Sequence, residues 1–340
     1  MKNLYYPTES WDILSPFKLN LKESFFKNLD KEITTNYENL NGIIILKEGH
    51  IAYENYYNSK GIDDRFNVAS VTKSVLSALI GIALDRGSIN SVKDKVIDYF
   101  PEFELSKNKV RDKVTIERLL TMSAPYSHKN MNQNLGKLIH SENWIKYSLE
   151  ILGLGSNEGE FKYSDASAHL LSGILTRTIG LTAREFANEN LFLPIGMNEI
   201  PYEKVESFKL KNMLYTQQKT WLEDKQGLTV GGWGLTLTLR DMAKFGLLYL
   251  RKGYWKGESI ISENWIEEST KDYGNHYGYL WWLRDLGNIS TYYAMGTGGN
   301  MILCIPSANL VIAIASEVTR HPIGNRWSLI ENFILPHFLQ

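Results

Sequence analysis

Cysteine is nearly absent: Cys304 is the one thiol in 340 residues. That excludes an internal disulfide and a cysteine-based zinc site. Its setting in the apolar run NMILCIP (300–306) marks a buried strand residue rather than a nucleophile. No apolar stretch reaches the 18 or more residues that read as a membrane-spanning helix, so no membrane partner is expected. Charge of one sign is not in surplus either. The 37 Lys and Arg residues stand against 38 Asp and Glu, a formal net charge of -1, which argues against a nucleic-acid partner. The seven histidines show no metal-ligand spacing and no His-Glu-x-x-His, so no metal is expected. P-loop and dinucleotide-binding glycine patterns are missing, as is a Gly-x-Ser-x-Gly elbow, and no organic cofactor is expected. The N-terminal MKNLYYPTESWDIL has a lysine but no apolar core or small-residue cleavage site, so no secretion signal and a cytoplasmic location are expected.

What is present is an ordinary globular composition, 43% hydrophobic and 22% charged. Strand-forming segments lie near both ends. Residues 42–57 read as a hairpin, with Ile43 to Leu46 as one strand, KEGH as the turn and Ile51 to Tyr57 as the return. STYYAMGTGG, NMILCIP and NLVIAIASEV read as further strands with PSAN as a turn, and WSLIENFILPHF has helical spacing. KEITTNYENL reads as a solvated helix leading into the first strand. Between the ends, SVKDKVIDYFP, TIERLLTM, SENWIKYSLEIL, SAHLLSGILTRTIG and TAREFANENLFLPIGM all carry helical spacing. Thr115, Ser141, Thr182 and Ser262 fit N-caps, Gly180 fits a helix stop, and Asp241 fits a capping position. The polar HKNMNQNLG (128–136) reads as a loop. The expected fold class is α/β (α+β): a central antiparallel sheet built from both chain ends, residues 1–66 and 246–340, and an inserted, mainly helical domain over 67–245.

One helix raises a chemical question. In NVASVTKSVLSALIGIALDRG (67–87), nearly every residue from Val71 to Leu84 is apolar or small, and Lys73 is the only charge. A helix apolar on all sides is a buried one, and lysine is seldom fully buried without a partner. Lys73 lies three residues after Ser70, so the two side chains share a face. Burial disfavours the ammonium and can turn the amine into a base beside the hydroxyl. The alternative is a lysine that runs its stem along the helix and reaches water. Ser-x-x-Lys alone decides nothing. It occurs four times, at Ser15, Ser24, Ser70 and Ser106, and only the Ser70 copy opens an apolar helix. Two further stretches add weight. FKYSDASAHLLSGIL sets Tyr163, Ser164 and Asp165 before a second apolar helix, and AMGTGGNMILCIP sets Gly296, Thr297, Gly298 and Gly299 on an expected strand. Glycines in a strand mark close backbone approach, and their N–H groups can help form an oxyanion hole.

Ser70-Val71-Thr72-Lys73, Tyr163-Ser164-Asp165 and Gly296-Thr297-Gly298, in that order, resemble the three motifs of the serine β-lactamase and penicillin-binding-protein superfamily: Ser-x-x-Lys, Tyr-x-Asn and Lys-Thr-Gly. LFLPIGM (191–197), GGWGLTLTLRDMAKFGLLYL (231–250) and YGYLWW (277–282) are similar to blocks of the branch that holds class C β-lactamases, family VIII carboxylesterases and nylon-oligomer hydrolases. The resemblance covers roughly residues 40–335. It implies that Ser70 is the acylated nucleophile and that Lys73 and Tyr163 share proton transfer, a nearby cation favouring a phenolate base. It also implies that the N–H groups of Ser70 and Gly299 form the oxyanion hole. Asp165, Gly296, Thr297 and Gly298 would then contact substrate, with Tyr126, Trp233 and Tyr279 in segments that flank the cleft.

Two departures shape the functional expectation. Asp165 replaces an asparagine, and a carboxylate beside Lys73 would raise the lysine's pKa against the effect of burial. Gly296 replaces the lysine that in β-lactamases and peptidases helps hold a substrate carboxylate. The expectation is therefore a cytoplasmic serine hydrolase cleaving a small ester, amide or peptide-like substrate through an acyl-enzyme. A D-alanyl-D-alanine peptidase or β-lactamase is the first alternative, and a non-catalytic binding or regulatory protein on the same scaffold the second. His169, on the apolar helix after Tyr163, reads as a packed or capping residue rather than a catalytic one.

Overall fold

The structure is a computed structural model that describes residues 5–7, 10–19, 21–127, 131–155 and 159–339. Among the described residues ten strands are formed: β1 (Leu40–Lys47), β2 (His50–Tyr56), β3 (Arg65–Asn67), β4 (Thr236–Thr238), β5 (Tyr254–Trp255), β6 (Glu258–Ser259), β7 (Trp282–Leu286), β8 (Ile289–Gly296), β9 (Asn300–Ile305) and β10 (Leu310–Ser316). Six of them build one sheet in the order β2-β1-β10-β9-β8-β7, and every neighbouring pair is antiparallel. The two chain ends thus meet at the β1–β10 seam. The expected hairpin is there, closed by the pair Lys47↔His50. Glu48 and Gly49 carry φ of 56° and 91°, as a two-residue turn matching the twist of its strands requires.

Both faces of this sheet are covered, which explains why its strands read as continuous apolar runs instead of alternating ones. Ile43 and Ile45 point to one face with Leu303, Ile312 and Ile314. There they meet Phe25, Leu29 and Ile33 of the helix Glu23–Asn36, and Leu329, Ile330 and Ile334 near the C-terminus. Ile44 and Leu46 point the other way with Ile302, Cys304 and Val311, under Met242 and Phe245 of the helix Leu239–Leu250. Cys304 is fully buried on β9. This second face continues into the helical part through Val71–Asp85 and Asp165–Ile179.

Several helix signals are realised as expected. Thr115, Thr182 and Ser262 cap their helices, Gly180 closes one with φ 78°, and Thr238 and Asp241 form a reciprocal capping box. The expected cap at Ser141 is instead Asn143, whose side chain accepts the Lys146 N–H at 2.9 Å. Residues 91–101 form only a short 3-10 turn, Val96–Tyr99. There Val96 donates to the Val114 carbonyl and Asp94 accepts from Ser91 and Tyr99, so local side-chain and cross-segment bonds compete with a longer helix. The expected loop over 128–136 needs correction as well. Residues 128–130 lie outside the described residues, but Met131–His140 is a helix. Leu138 and Ile139, just past the polar run, bury themselves against Trp144, Met213 and Trp233 and anchor the helix by tertiary packing.

The short pair β3–β4 positions the site. It brings the 231–235 segment onto the residues that lead into the Ser70 helix, and Val68 donates to the Leu235 carbonyl at 3.0 Å.

Candidate active site

Ser70 sits at the N-terminal boundary of the Val71–Asp85 helix and is partly exposed. Ala69 before it takes φ 48°, a conformation that L-residues with a Cβ seldom adopt. Asn67 Oδ1 accepts the Ala69 N–H at 3.0 Å and Thr72 Oγ1 donates to the Ala69 carbonyl at 2.6 Å, so neighbouring side chains hold the strained residue in place.

Lys73 is 1% exposed, which rules out a side chain that reaches water. Its ammonium has three protons and finds three acceptors: Asp165 Oδ1 at 2.6 Å, the Gly232 carbonyl at 2.8 Å and Ser70 Oγ at 3.1 Å. The Tyr163 ring lies beside it, with Nζ 4.7 Å from the ring centre. Burial works to lower the lysine's pKa, but the Asp165 carboxylate and the Tyr163 oxygen outweigh it, and the amine is held above its ordinary value. Of the two opposed expectations for Lys73, the carboxylate wins over desolvation.

Each partner is delivered by local structure. Ser164 caps the helix Asp165–Ile179, accepting the Ser167 N–H, so Asp165 occupies the first turn, where a carboxylate is favoured by the helix dipole. Gly232 was not singled out from the sequence. A Cβ there would stand 2.6 Å from Asp165 Oδ1 and 3.3 Å from Lys73 Nζ, so a side chain would push this segment off the ion pair. The only sequence signal was the doubled glycine before Trp233.

The four residues 296–299 do not form one strand. β8 ends at Gly296, and Thr297, Gly298 and Gly299 make the turn into β9, with Gly298 and Gly299 at φ 90° and 92°. Gly296 presses on the segment that ends at Ser70: a Cβ there would meet the Val68 carbonyl at 2.2 Å and the Ser70 nitrogen at 3.1 Å. Gly299 faces elsewhere. Its N–H donates to the Gly296 carbonyl at 3.1 Å, and a Cβ would fall 2.7 Å from Arg326 Nε. Thr297 is exposed at the tip.

Three aromatic residues expected along the cleft are core residues. Tyr126 is fully buried, Trp233 is 4% exposed and stacks on Trp144, and Tyr279 is buried with its hydroxyl on Glu117. The ring that lies against Tyr163 comes from the same segment as Tyr279. Trp282 stacks on Tyr163, Tyr293 stacks on Trp282, and Trp327 meets Tyr293 edge-on, all of them only partly buried. Within YGYLWW it is the last tryptophan, Trp282, and not Tyr279, that lies against Tyr163. His169 is buried, with Nε2 3.0 Å from Asp224 Oδ2, as a packed histidine should be. Among the described residues no group of three or more His, Cys, Asp or Glu side chains is placed to hold a metal, and no helix is long and apolar enough to cross a membrane.

Comparison with known proteins settles the family. A Beta-lactamase family model matches residues 39–325. The chain belongs to the Beta-lactamase family. Within that family it is similar to the 6-aminohexanoate-dimer hydrolase of Paenarthrobacter ureafaciens, with 24% identity over 86% of this chain and 76% of the relative. Among solved structures, a putative 6-aminohexanoate-dimer hydrolase from Bacillus anthracis superposes with a TM-score of 0.71 at 19% identity, over 91% of this chain and 80% of the other. A family VIII carboxylesterase superposes with a TM-score of 0.64 at 17% identity, over 92% and 97%. The Beta-lactamase fold, with its antiparallel sheet and flanking helices, is therefore shared with both.

Proposed function

We propose that this Beta-lactamase family chain is a serine hydrolase that cleaves a small ester or amide through an acyl-enzyme on Ser70. The observation that carries the proposal is the buried ammonium of Lys73, 3.1 Å from the hydroxyl of a partly exposed serine. In this arrangement all three Lys73 protons are engaged, so Lys73 acts as a fixed cation and Tyr163 takes the Ser70 proton. Ser70 Oγ bonds to the substrate carbonyl carbon, and the bond to the alcohol or amine then breaks as that group receives the proton. Water repeats the sequence on the acyl-enzyme and releases the acid.

We assign the oxyanion hole to the N–H groups of Ser70 and Gly296. This replaces Gly299, whose N–H is occupied within the turn, by the residue that packs against the Ser70 nitrogen. The third motif has Gly296 where a carboxylate-binding lysine would stand, and the rings of Trp282 and Tyr293 continue outward from Tyr163. Both features favour a substrate with an apolar group and no carboxylate at this point. The names of the hydrolase and carboxylesterase relatives agree with an amide or ester bond.

The test is a panel of p-nitrophenyl esters, linear amides, D-amino-acid peptides and a chromogenic cephalosporin, run on wild type and Ser70→Ala. Turnover of esters or amides that Ser70→Ala loses by 1,000-fold or more, about 4 kcal/mol of transition-state stabilisation, is the expected result. Preferred turnover of the cephalosporin or the D-peptides would move the assignment to the β-lactamase or peptidase class. No turnover, with no fluorophosphonate labelling of Ser70, would leave a binding protein.

A further inference from the structure

Behind the glycine turn lies a second buried cation that the proposed chemistry does not use. Arg326 is 3% exposed, and among the described residues no carboxylate forms an ion pair with it. Its guanidinium donates instead to neutral oxygens: Asn39 Oδ1 at 2.9 Å, Ser316 Oγ at 3.1 Å and the Gly298 carbonyl at 3.3 Å through Nη2, and the Ile323 carbonyl at 3.0 Å through Nη1. Its Nε is buried without a partner, against Gly299. An uncompensated buried cation is costly, so its place in the fold calls for a reason beyond packing.

The turn supplies one. The three carbonyls from Gly296 to Gly298 are fastened from outside or within. Gly298 O receives Asn39 Nδ2 at 2.7 Å as well as Arg326 Nη2, Thr297 O receives Asn300 Nδ2 at 3.1 Å, and Gly296 O receives the Gly299 N–H. Asn300 Oδ1 in turn accepts the Ser316 N–H at 2.9 Å. A three-residue surface turn rich in glycine has high conformational freedom, and here it is over-determined by side chains from the start of β1, the end of β10 and a C-terminal helix. The turn begins from Gly296, where a Cβ would stand 3.1 Å from the Ser70 nitrogen. An oxyanion donor must be held in its productive position before charge develops.

We propose that Asn39 and Arg326 are positioning residues: they clamp the Gly298 carbonyl and thereby fix Gly296 beside Ser70 for stabilisation of the tetrahedral intermediate. The proposal rests on the acyl-enzyme function above.

Asn39→Asp tests it in the full chain. The substitution keeps shape, removes the donor to Gly298, and gives Arg326 a carboxylate, so the fold is retained. The expected result is a melting temperature close to wild type, faster amide hydrogen exchange at 296–300, and kcat on a p-nitrophenyl ester reduced 10- to 100-fold with KM within about threefold. Affinity for an alkyl boronic acid, a tetrahedral adduct of Ser70, should fall by the same factor as kcat/KM. Unchanged exchange at 296–300, or unchanged kcat and boronate affinity in a folded variant, overturns the clamp. Arg326→Lys, which keeps the charge and loses the fork, should show the same split in milder form. If wild type proves inactive and unlabelled at Ser70, the hydrolase function fails first. The exchange data then decide separately whether the clamp holds the turn.

Discussion

Two of the buried cations of this molecule, Lys73 and Arg326, have similar burial and opposite surroundings. Lys73 is 1% exposed and meets the Asp165 carboxylate at 2.6 Å. Arg326 is 3% exposed and meets no carboxylate among the described residues: its partners are carbonyl, amide and hydroxyl oxygens and the ring of Tyr37. Lysine can lose its proton when buried, so a neighbouring carboxylate is what keeps it charged. The guanidinium starts from so high a pKa that burial brings it only to about 10, and it stays charged without a counter-ion. A cation required to remain an ammonium beside a hydroxyl therefore needs Asp165, whereas one required only to fasten backbone carbonyls does not.

The largest break in this comparison is Lys73→Met. It removes the charge beside Ser70 and leaves Asp165 and the Gly232 carbonyl without their donor. Ester turnover should fall 1,000-fold or more, and denaturant unfolding should show a loss of about 3–5 kcal/mol, the usual cost of breaking a buried pair from one side. Arg326→Met removes a charge that has only neutral partners. Its loss of stability should be smaller, about 1–3 kcal/mol, by the same measurement. A loss equal to that of Lys73→Met would mean that the carboxylate is not what separates the two sites.

Asp165→Asn sharpens the comparison by making Lys73 resemble Arg326. Burial then acts on the amine without its main opponent, and Lys73 gives up its proton at lower pH. If Lys73 works as an ammonium, the alkaline limb of kcat/KM against pH moves to lower pH in the variant. If Lys73 is the base, an acid limb moves to lower pH instead. The smallest effect is on stability at high pH. Because the folded pKa of Lys73 is raised, its contribution is fully present below the ordinary lysine value of 10.5 and is lost as pH rises through the folded value. In urea titrations wild type should thus lose its advantage over Asp165→Asn above that pH, and a constant difference would count against the ion pair.

Much of this was legible before the structure. The Ser70 helix, the β1–β2 hairpin, the sheet joining the chain ends and the caps at Thr115, Thr182 and Ser262 follow from local pattern, because the interactions that form them span only a few residues or one hydrophobic face. Residues 131–140 are an exception, since the apolar anchors of that helix, Leu138 and Ile139, lie beyond a polar run whose composition fits a loop. Tyr126 and Trp233 were placed by neighbourhood in the chain, yet ring orientation is settled by packing, and both turn into the core. Gly296 and Gly299 are three residues apart in one motif, and no pattern says which of them packs against the Ser70 segment once the strand ends between them.

By itself the sequence determined that Ser70 and Lys73 form a pair. Three residues of helix set their spacing, and an apolar surround guarantees that the charge must be accounted for. Only the tertiary structure decided how. The oxygens that hold Lys73 arrive from 92 and 159 residues away, and the clamp on the turn joins Asn39 to Arg326 across 287. The electrostatic balance of a buried group is a sum over neighbours, and those neighbours do not exist until the chain has folded.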